Sequence, residues 1–259
     1  MNEIILQQKE IIRIFTEFRQ ELMQSYGNIT YDSKQDKSPV TELDIKVEKT
    51  VKEQIMAQFP DVGIRGEETT AVEPKNGVTW YIDPIDSTLS FIHGLPYCSN
   101  MAACVVDGEV VASVIYNFAT DEIFTAIRGR GAYKNSVKIS IHDVPLASSC
   151  VFADTFAYKN IYALYAKEGV RFYAPVGATG YFMTLLAQGS IQGICYATAN
   201  IKPHDVAPGA LLVQEAGGKF VSFNDRPFNY ESRQFFASTP TLCQLTKQKL
   251  QKIKKINVV

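Results

Sequence analysis

The chain has 259 residues, a length that allows one large domain or two closely packed halves. Its 46% hydrophobic and 20% charged residues are ordinary for a folded protein in water. A net charge of -1 gives no reason to expect binding to a nucleic acid polymer or to an anionic membrane surface.

The N-terminal segment and the cysteines indicate a reducing compartment. Residues 1–15 mix charged and apolar side chains, unlike a signal peptide, and no apolar run is long enough to span a bilayer. The five cysteines are scattered, without a C-x-x-C pair, as expected for reduced thiols that pack as small core residues. We therefore expect a cytoplasmic protein with no membrane partner.

Two helices are predicted first in the chain. Apolar residues recur at helical spacing over residues 2–26, which predicts one long helix. A second helix is expected to begin after Thr41 and to end near Phe59. Short strands are then predicted within 61–68 and 78–83.

From Cys98 to about residue 145 the sequence predicts an antiparallel meander. β-rich runs are divided by turns there, and Asp107-Gly108 is a strong hairpin signal. After residue 150, strands and helices alternate. Strands are predicted near 150–156, 191–198, 219–223 and 234–239, and helices near 181–189, 205–218 and 242–256. The prediction is a layered α/β protein with a mixed sheet in each half, 1–145 and 146–259, packed as one unit.

Two aspartates stand three residues apart in "WYIDPIDSTLSF". Pro84 suits the first turn of a helix, so Asp83 is expected to end a strand and Asp86 to lie in the next turn. Two like charges repel there unless a cation is present, and the N–H groups of Ser87 and Thr88 would offer an anion site. For this pair alone, a helix cap and a turn former are the favoured interpretation.

Other acidic residues strengthen the case for chemistry. Glu67 and Glu68 close the preceding predicted strand, where they could bring a third carboxylate to the same end of a sheet. Asp205 stands at a later helix start and offers a fourth carboxylate, although it could also be only a cap. Four acids at three separated strand or helix ends could supply the oxygen ligands that phosphoryl chemistry with two metal ions needs. Hard oxygen donors with a retained water suit Mg²⁺.

Three motifs resemble signatures of the inositol monophosphatase family. They are "DPIDST" with Phe91, the upstream "GEE" and the downstream "HDVAPGALLVQEAGG", and the resemblance extends from Pro39 to Gly218. It implies the αβαβα sandwich of the inositol monophosphatase and fructose-1,6-bisphosphatase type. It also implies a homodimer that hydrolyses a small phosphate monoester by metal-activated water, dependent on Mg²⁺ and sensitive to Li⁺.

The resemblance implies a role for each matching position. The metal ligands, for two or three Mg²⁺ ions, would be Glu67, Asp83, the carbonyl of Ile85, Asp86 and Asp205. The catalytic group would be Glu68, Thr88 and Asp44, with Asp44 and Thr88 orienting the attacking water. The substrate contacts would be Glu67, Ile85, Asp86, Ser87, Thr88, Gly177, Ala178, Thr179, His204 and Asp205. Asp44 also fits a capping box with Thr41, and Gly177 to Thr179 also fit the start of a helix.

Two positions depart from the family pattern. Ser87 stands where the motif has Gly, and we expect right-handed helical backbone there, which would make the serine harmless. His204 stands where Trp is usual. His204 could contact the substrate, or it could merely fill the space that the Trp side chain occupies in other members.

The substrate stays open at this point. Inositol-specific members place an acid several residues before the last aspartate, but no Asp or Glu lies between Glu168 and Asp205, where Thr198 and Asn200 are the nearest polar candidates. The same chemistry could act on histidinol phosphate, a sugar phosphate or a 3'-phosphoadenosine nucleotide. Members of the family that act on nucleotides usually carry a Lys-Glu pair directly after the aspartate motif. Leu89-Ser90 stands there in this chain, which disfavours a nucleotide substrate. A non-catalytic protein that binds phosphate and Mg²⁺ is the alternative from another class.

Overall fold

The computed structural model describes residues 1–154, 162, 165, 167–173, 177–197, 201–223 and 227–256. The helices are α1 (Asn2–Ser25), α2 (Glu42–Gln58), α3 (Thr88–Ile92), α4 (Thr179–Ala187), α5 (Pro203–Glu215) and α6 (Pro240–Ile256), with a 3₁₀ turn at Leu146–Ser148. The strands of the first half are β1 (Asp32–Ser33), β2 (Pro39–Val40), β3 (Gly63–Gly66), β4 (Val78–Asp86), β5 (Ser99–Val106), β6 (Glu109–Asn117), β7 (Glu122–Ile127), β8 (Gly131–Lys134) and β9 (Val137–Ile139). Those of the second half are β10 (Cys150–Ala153), β11 (Arg171–Tyr173), β12 (Gly193–Tyr196), β13 (Lys219–Ser222) and β14 (Phe235–Ser238).

The strands form two mixed sheets and a small hairpin. The larger sheet has the order β3-β4-β5-β6-β7-β8-β9, in which only β3 and β4 pair in parallel. The smaller sheet has the order β11-β10-β12-β14-β13, with parallel pairs on both sides of β10. β1 and β2 form the hairpin. The predicted meander and the predicted mixed sheets are confirmed.

Alternation along β5 gives the larger sheet an apolar face on each side. Ala102 and Cys104 pack into the core that α1 and α2 cover, whereas Met101 and Ala103 pack into the core that contains α4 and α5. Successive side chains of a strand point to opposite faces, so a run of buried residues as apolar as β5 requires helices on both.

The smaller sheet encloses α4 and α5 from the other side. Phe235 and Ala237 of β14 face the core of α4 and α5, while Phe236 between them joins Leu242 and Cys243 of α6 in a third core. The layers therefore run helices, sheet, helices, sheet, helix, as predicted. Among the described residues, no helix has the length and apolarity to cross a membrane. The division into halves near residue 145 stays a prediction.

The expectation that Pro84 opens a helix is wrong. β4 continues through Pro84 to Asp86, and α3 begins only at Thr88. The pairing of β4 with β5 shifts register between Asp83 and Asp86, and a break in the ladder is where a strand tolerates a residue without an N–H. Asn100 of β5 donates a hydrogen bond from Nδ2 to the carbonyl of Pro84 (2.5 Å).

Candidate functional site

The end of β4 buries two of the predicted ligands. The side chains of Asp83 and Asp86 lie beside Ile85 in a strand end that is almost closed to solvent. Asp86 accepts hydrogen bonds from the backbone N–H groups of Thr179 (3.1 Å) and Gly180 (2.7 Å). Asp86 therefore caps α4, a helix 93 residues later in the chain, and it joins the motif of β4 to the predicted substrate loop.

Helix α2 contributes Asp44 to the same site. Thr88 donates a hydrogen bond from Oγ1 to Asp44 Oδ1 (3.0 Å), and the backbone N–H of Thr41 donates to Asp44 Oδ2 (2.9 Å). The capping box and the contact with Thr88 thus coexist, one on each carboxylate oxygen. Burial raises the pKa of Asp44, and its hydrogen bonds to Thr41 and Thr88 oppose that shift.

One turn further along α2, Glu48 holds the loop that carries Glu67 and Glu68. The side chain of Glu48 is fully buried. Its carboxylate accepts the N–H of Glu68 (2.8 Å) and the N–H of Thr69 (2.7 Å), and the hydroxyl of Thr69 also donates to it (2.5 Å). Residues four apart share a helix face, so α2 contacts both the start of α3, through Asp44, and this loop, through Glu48.

An ammonium group lies against the two glutamates. Lys34, which follows β1, donates hydrogen bonds to Glu67 Oε1 (2.8 Å) and Glu68 Oε1 (2.5 Å). Burial raises the pKa of Glu68 to about 7 although Lys34 opposes the shift. For Glu67, the raising effect of burial is outweighed by His204, when its ring carries a proton, and by the ammonium group of Lys34, so the pKa of Glu67 is lowered.

The remaining acids leave uncompensated negative charge in the interior. Burial raises the pKa of Asp83 well above its usual range, and the charges of Glu67, Asp86 and Asp205 raise it further. Asp83 Oδ1 is buried and has no hydrogen-bond partner among the described residues. The pKa of Asp86 is raised to about 7 by burial and by Asp205. An interior of this kind favours protons or bound cations.

The backbone at Ser87 contradicts the expected right-handed helix. Ser87 has φ 63° and ψ 60°, in the left-handed region, because it is the turn between β4 and α3. Its hydroxyl lies 2.8 Å from the hydroxyl of Ser90. Ala178, which precedes α4, has the same left-handed angles. A Cβ on Gly177 would stand 3.2 Å from Ser87 Oγ, so the two turns approach each other closely.

His204 and Asp205 begin α5 beside Glu67. Asp205 accepts a hydrogen bond at Oδ2 from the N–H of Lys202 (2.6 Å), so it is a helix cap as well as a candidate ligand. His204 Nε2 lies 3.6 Å from Asp205 Oδ1 and 3.9 Å from Glu67 Oε2. His204 is thus between two predicted ligands rather than in ordinary core packing.

The structure brings the predicted residues of β4, α2, α4 and α5 into one region through the contacts above. Thr198 and Asn200 lie outside the described residues. Within the described ranges, no three or more His, Cys, Asp or Glu side chains are arranged so that they could hold a metal ion as they stand. Sequence reasoning missed Glu48, which its spacing of four from Asp44 could have indicated, and Lys34, for which the sequence carries no comparable signal.

Comparison with known proteins identifies relatives that cover most of the chain. The model of the family described as "Inositol monophosphatase family" matches residues 1–255. A histidinol-phosphatase of Chlorobaculum parvum is 33% identical over 221 residues, covering 80% of this chain and 85% of the relative. A fructose-1,6-bisphosphatase/inositol-1-monophosphatase of Thermotoga maritima is 31% identical over 205 residues, covering 78% of each.

Solved structures share the fold. The extragenic suppressor protein suhB of Bartonella henselae superposes with a TM-score of 0.85 at 24% identity, covering 95% of this chain and 99% of that one. An IMPase of Thermotoga maritima superposes with a TM-score of 0.81 at 26% identity, covering 98% of this chain and 100% of that one.

Proposed function

The chain belongs to the inositol monophosphatase family of phosphoric monoester hydrolases, and we propose that it hydrolyses a small phosphate monoester with the help of Mg²⁺. The ions, two or three in number, would be held by Glu67, Asp83, the carbonyl of Ile85, Asp86 and Asp205. The observation that carries this proposal is the burial of Asp83 among other acids, with Oδ1 left without a hydrogen-bond partner by the described residues.

The donor set fits a hard divalent cation by charge and chemistry. Carboxylate and carbonyl oxygens are the ligands that Mg²⁺ prefers, and a buried carboxylate oxygen without a donor is stabilised by a cation. As they stand, the described side chains do not surround one point. Lys34 occupies Oε1 of Glu67 and leaves Oε2 for an ion, so loading requires only small movements of the ligands towards each other.

Each catalytic residue has a distinct part in the proposed reaction. Mg²⁺, when bound, lowers the pKa of water and offsets the charge of phosphoryl oxygens. Asp44 accepts a hydrogen bond from the Thr88 hydroxyl, which leaves the lone pairs of that oxygen free to accept a hydrogen bond from the attacking water. Glu68, with a pKa raised to about 7, can accept a proton near neutral pH.

The substrate pocket would be formed by the turns at Ser87 and at Gly177 to Thr179. The chain has no carboxylate between Glu168 and Asp205 that could grip a polyol. Relatives are named for inositol phosphates, for fructose 1,6-bisphosphate and for histidinol phosphate. We therefore propose a small phosphate monoester without restricting the alcohol to inositol.

The test is a screen of phosphate release with and without Mg²⁺. The panel contains inositol 1-phosphate, histidinol phosphate, fructose 1,6-bisphosphate and adenosine 3',5'-bisphosphate, and Asp83→Asn should abolish release while the variant stays folded. Asp61→Asn, an exposed acid whose side chain is 61% accessible, is the matched control and should retain activity. Binding of Mg²⁺ and phosphate without turnover of any ester would contradict the proposal and favour a non-catalytic binding protein.

A further inference from the structure

His204 presents an unpaired nitrogen inside the acidic site. The residue is 8% exposed and is the second residue of α5. Its Nε2 atom has no hydrogen-bond partner in the part of the chain that the structure describes. The separations of 3.6 Å and 3.9 Å from Asp205 Oδ1 and Glu67 Oε2 are too long for hydrogen bonds. A buried imidazole nitrogen without a partner is costly, so this position calls for a bound ion or molecule that the nitrogen can contact.

The carboxylates of Glu67 and Asp205 each leave one oxygen free for the same bound ion. Glu67 uses Oε1 for Lys34 and turns Oε2 towards His204. Asp205 uses Oδ2 for the N–H of Lys202 and turns Oδ1 towards His204. A hydrogen bond to one oxygen of a carboxylate orients its other oxygen towards a metal ion.

The separations suit donors that share one ion after small movements. Two donors on one octahedral ion with bonds of about 2.1 Å are about 3 Å apart when adjacent and about 4.2 Å apart when opposite. Both separations from Nε2 fall between these limits. If His204 only filled the space of the Trp that is usual at this position, its packing would not require a ring nitrogen there. A direct contact with the substrate is hindered because the residue is nine-tenths buried.

We propose that His204 Nε2 is a metal ligand together with Glu67 and Asp205, and that it makes this site prefer Mn²⁺ to Mg²⁺. This inference rests on the proposed metal-dependent function and adds a nitrogen donor to its oxygen donors. Imidazole nitrogen suits first-row transition metals, whereas Mg²⁺ favours oxygen ligands alone.

Electron spin echo spectroscopy of bound Mn²⁺ tests the proposal without any turnover. In the full-length wild-type protein without substrate, we expect a nitrogen hyperfine coupling from a directly bound imidazole. Labelling the wild type with ¹⁵N-histidine should change that coupling, which makes the test independent of any variant. His204→Gln should remove the coupling, weaken Mn²⁺ binding by about tenfold and change Mg²⁺ binding much less. His142→Gln, at an exposed histidine, should leave all three readouts unchanged.

The outcomes separate this inference from the proposed function. If Mn²⁺ and Mg²⁺ bind but Mn²⁺ shows no histidine coupling, the inference is wrong and the metal-dependent phosphatase stands. The same conclusion follows if the coupling persists in His204→Gln. If neither ion binds the wild type, both the inference and the proposed metal dependence fail.

Discussion

Glu48 occupies the space that any side chain at position 66 would need. A Cβ built on Gly66 would lie 2.0 Å from the carboxyl carbon of Glu48. Three hydrogen bonds from Glu68 and Thr69 hold that carboxylate in place. The glycine before the two glutamates is thus required by a buried acid on α2.

Gly66→Ala should therefore destabilise the protein. The methyl group would displace the Glu48 carboxylate from its charge-assisted hydrogen bonds, and we expect a loss of about 2–4 kcal/mol in the free energy of unfolding. Urea denaturation measures the loss. The control is a double-mutant cycle: Gly66→Ala should cost clearly less in a Glu48→Ala background, because the clash is absent there. Equal costs in both backgrounds would show that the two residues are not coupled.

Two replacements of Thr88 distinguish the contribution of its hydroxyl group from that of its branched side-chain shape. Thr88→Val keeps the branched side chain but removes the donor to Asp44 Oδ1. If Thr88 and Asp44 orient the attacking water, kcat should fall by at least about a hundredfold. Thr88→Ser keeps the hydroxyl and should retain most of the activity. Steady-state rates on the best substrate of the screen provide the measurement, and similar rates for the two variants would count against the assigned role.

Local signals in the sequence predicted the elements well. The helix predicted over residues 2–26 is α1, and the capping box of Thr41 and Asp44 begins α2 as expected. Apolar periodicity and caps act over a few residues, so one sequence reveals them.

Contacts between distant segments were harder to predict. The bond from Thr179 to Asp86 joins positions 93 apart, and the pair of Lys34 with Glu67 joins positions 33 apart. No short-range pattern encodes either contact. The errors at Pro84 and Ser87 have another cause: an irregular strand extends β4 past the proline, so the left-handed turn falls on the serine.

The left-handed backbone at Ser87 has a measurable cost. Left-handed angles cost a residue with a Cβ roughly 1–2 kcal/mol, which glycine avoids, whereas loss of the hydroxyl contact with Ser90 costs about 1 kcal/mol. We expect Ser87→Gly to be neutral or to stabilise by up to about 1 kcal/mol, with activity kept or raised. Ser87→Ala, which keeps the backbone cost and loses the hydroxyl, should be the less stable variant. Thermal unfolding compares the two, and a collapse of kcat in Ser87→Gly would reveal a catalytic role for the hydroxyl.

Asp86 should make the metal-free protein less stable as the pH rises from about 4 to about 7. Burial and Asp205 raise the pKa of Asp86 to about 7, above the value of about 4 for a free aspartate. Between these values the folded state binds more protons than the unfolded state. The contribution of Asp86 to the free energy of unfolding therefore falls as the pH rises from about 4 to about 7 and is constant outside that window.

The comparison of Asp86→Asn with the wild type isolates this titration from that of every other acid. In EDTA, the stability of the variant relative to the wild type should increase as the pH is raised from about 4 to about 7. Urea unfolding at several pH values measures the difference. Mg²⁺ should make the wild type the more stable of the two above pH 7, since only the wild type keeps a charged ligand at position 86 and therefore binds the ion more tightly. A difference for Asp86→Asn that does not change with pH would mean that Asp86 titrates as an ordinary carboxyl group.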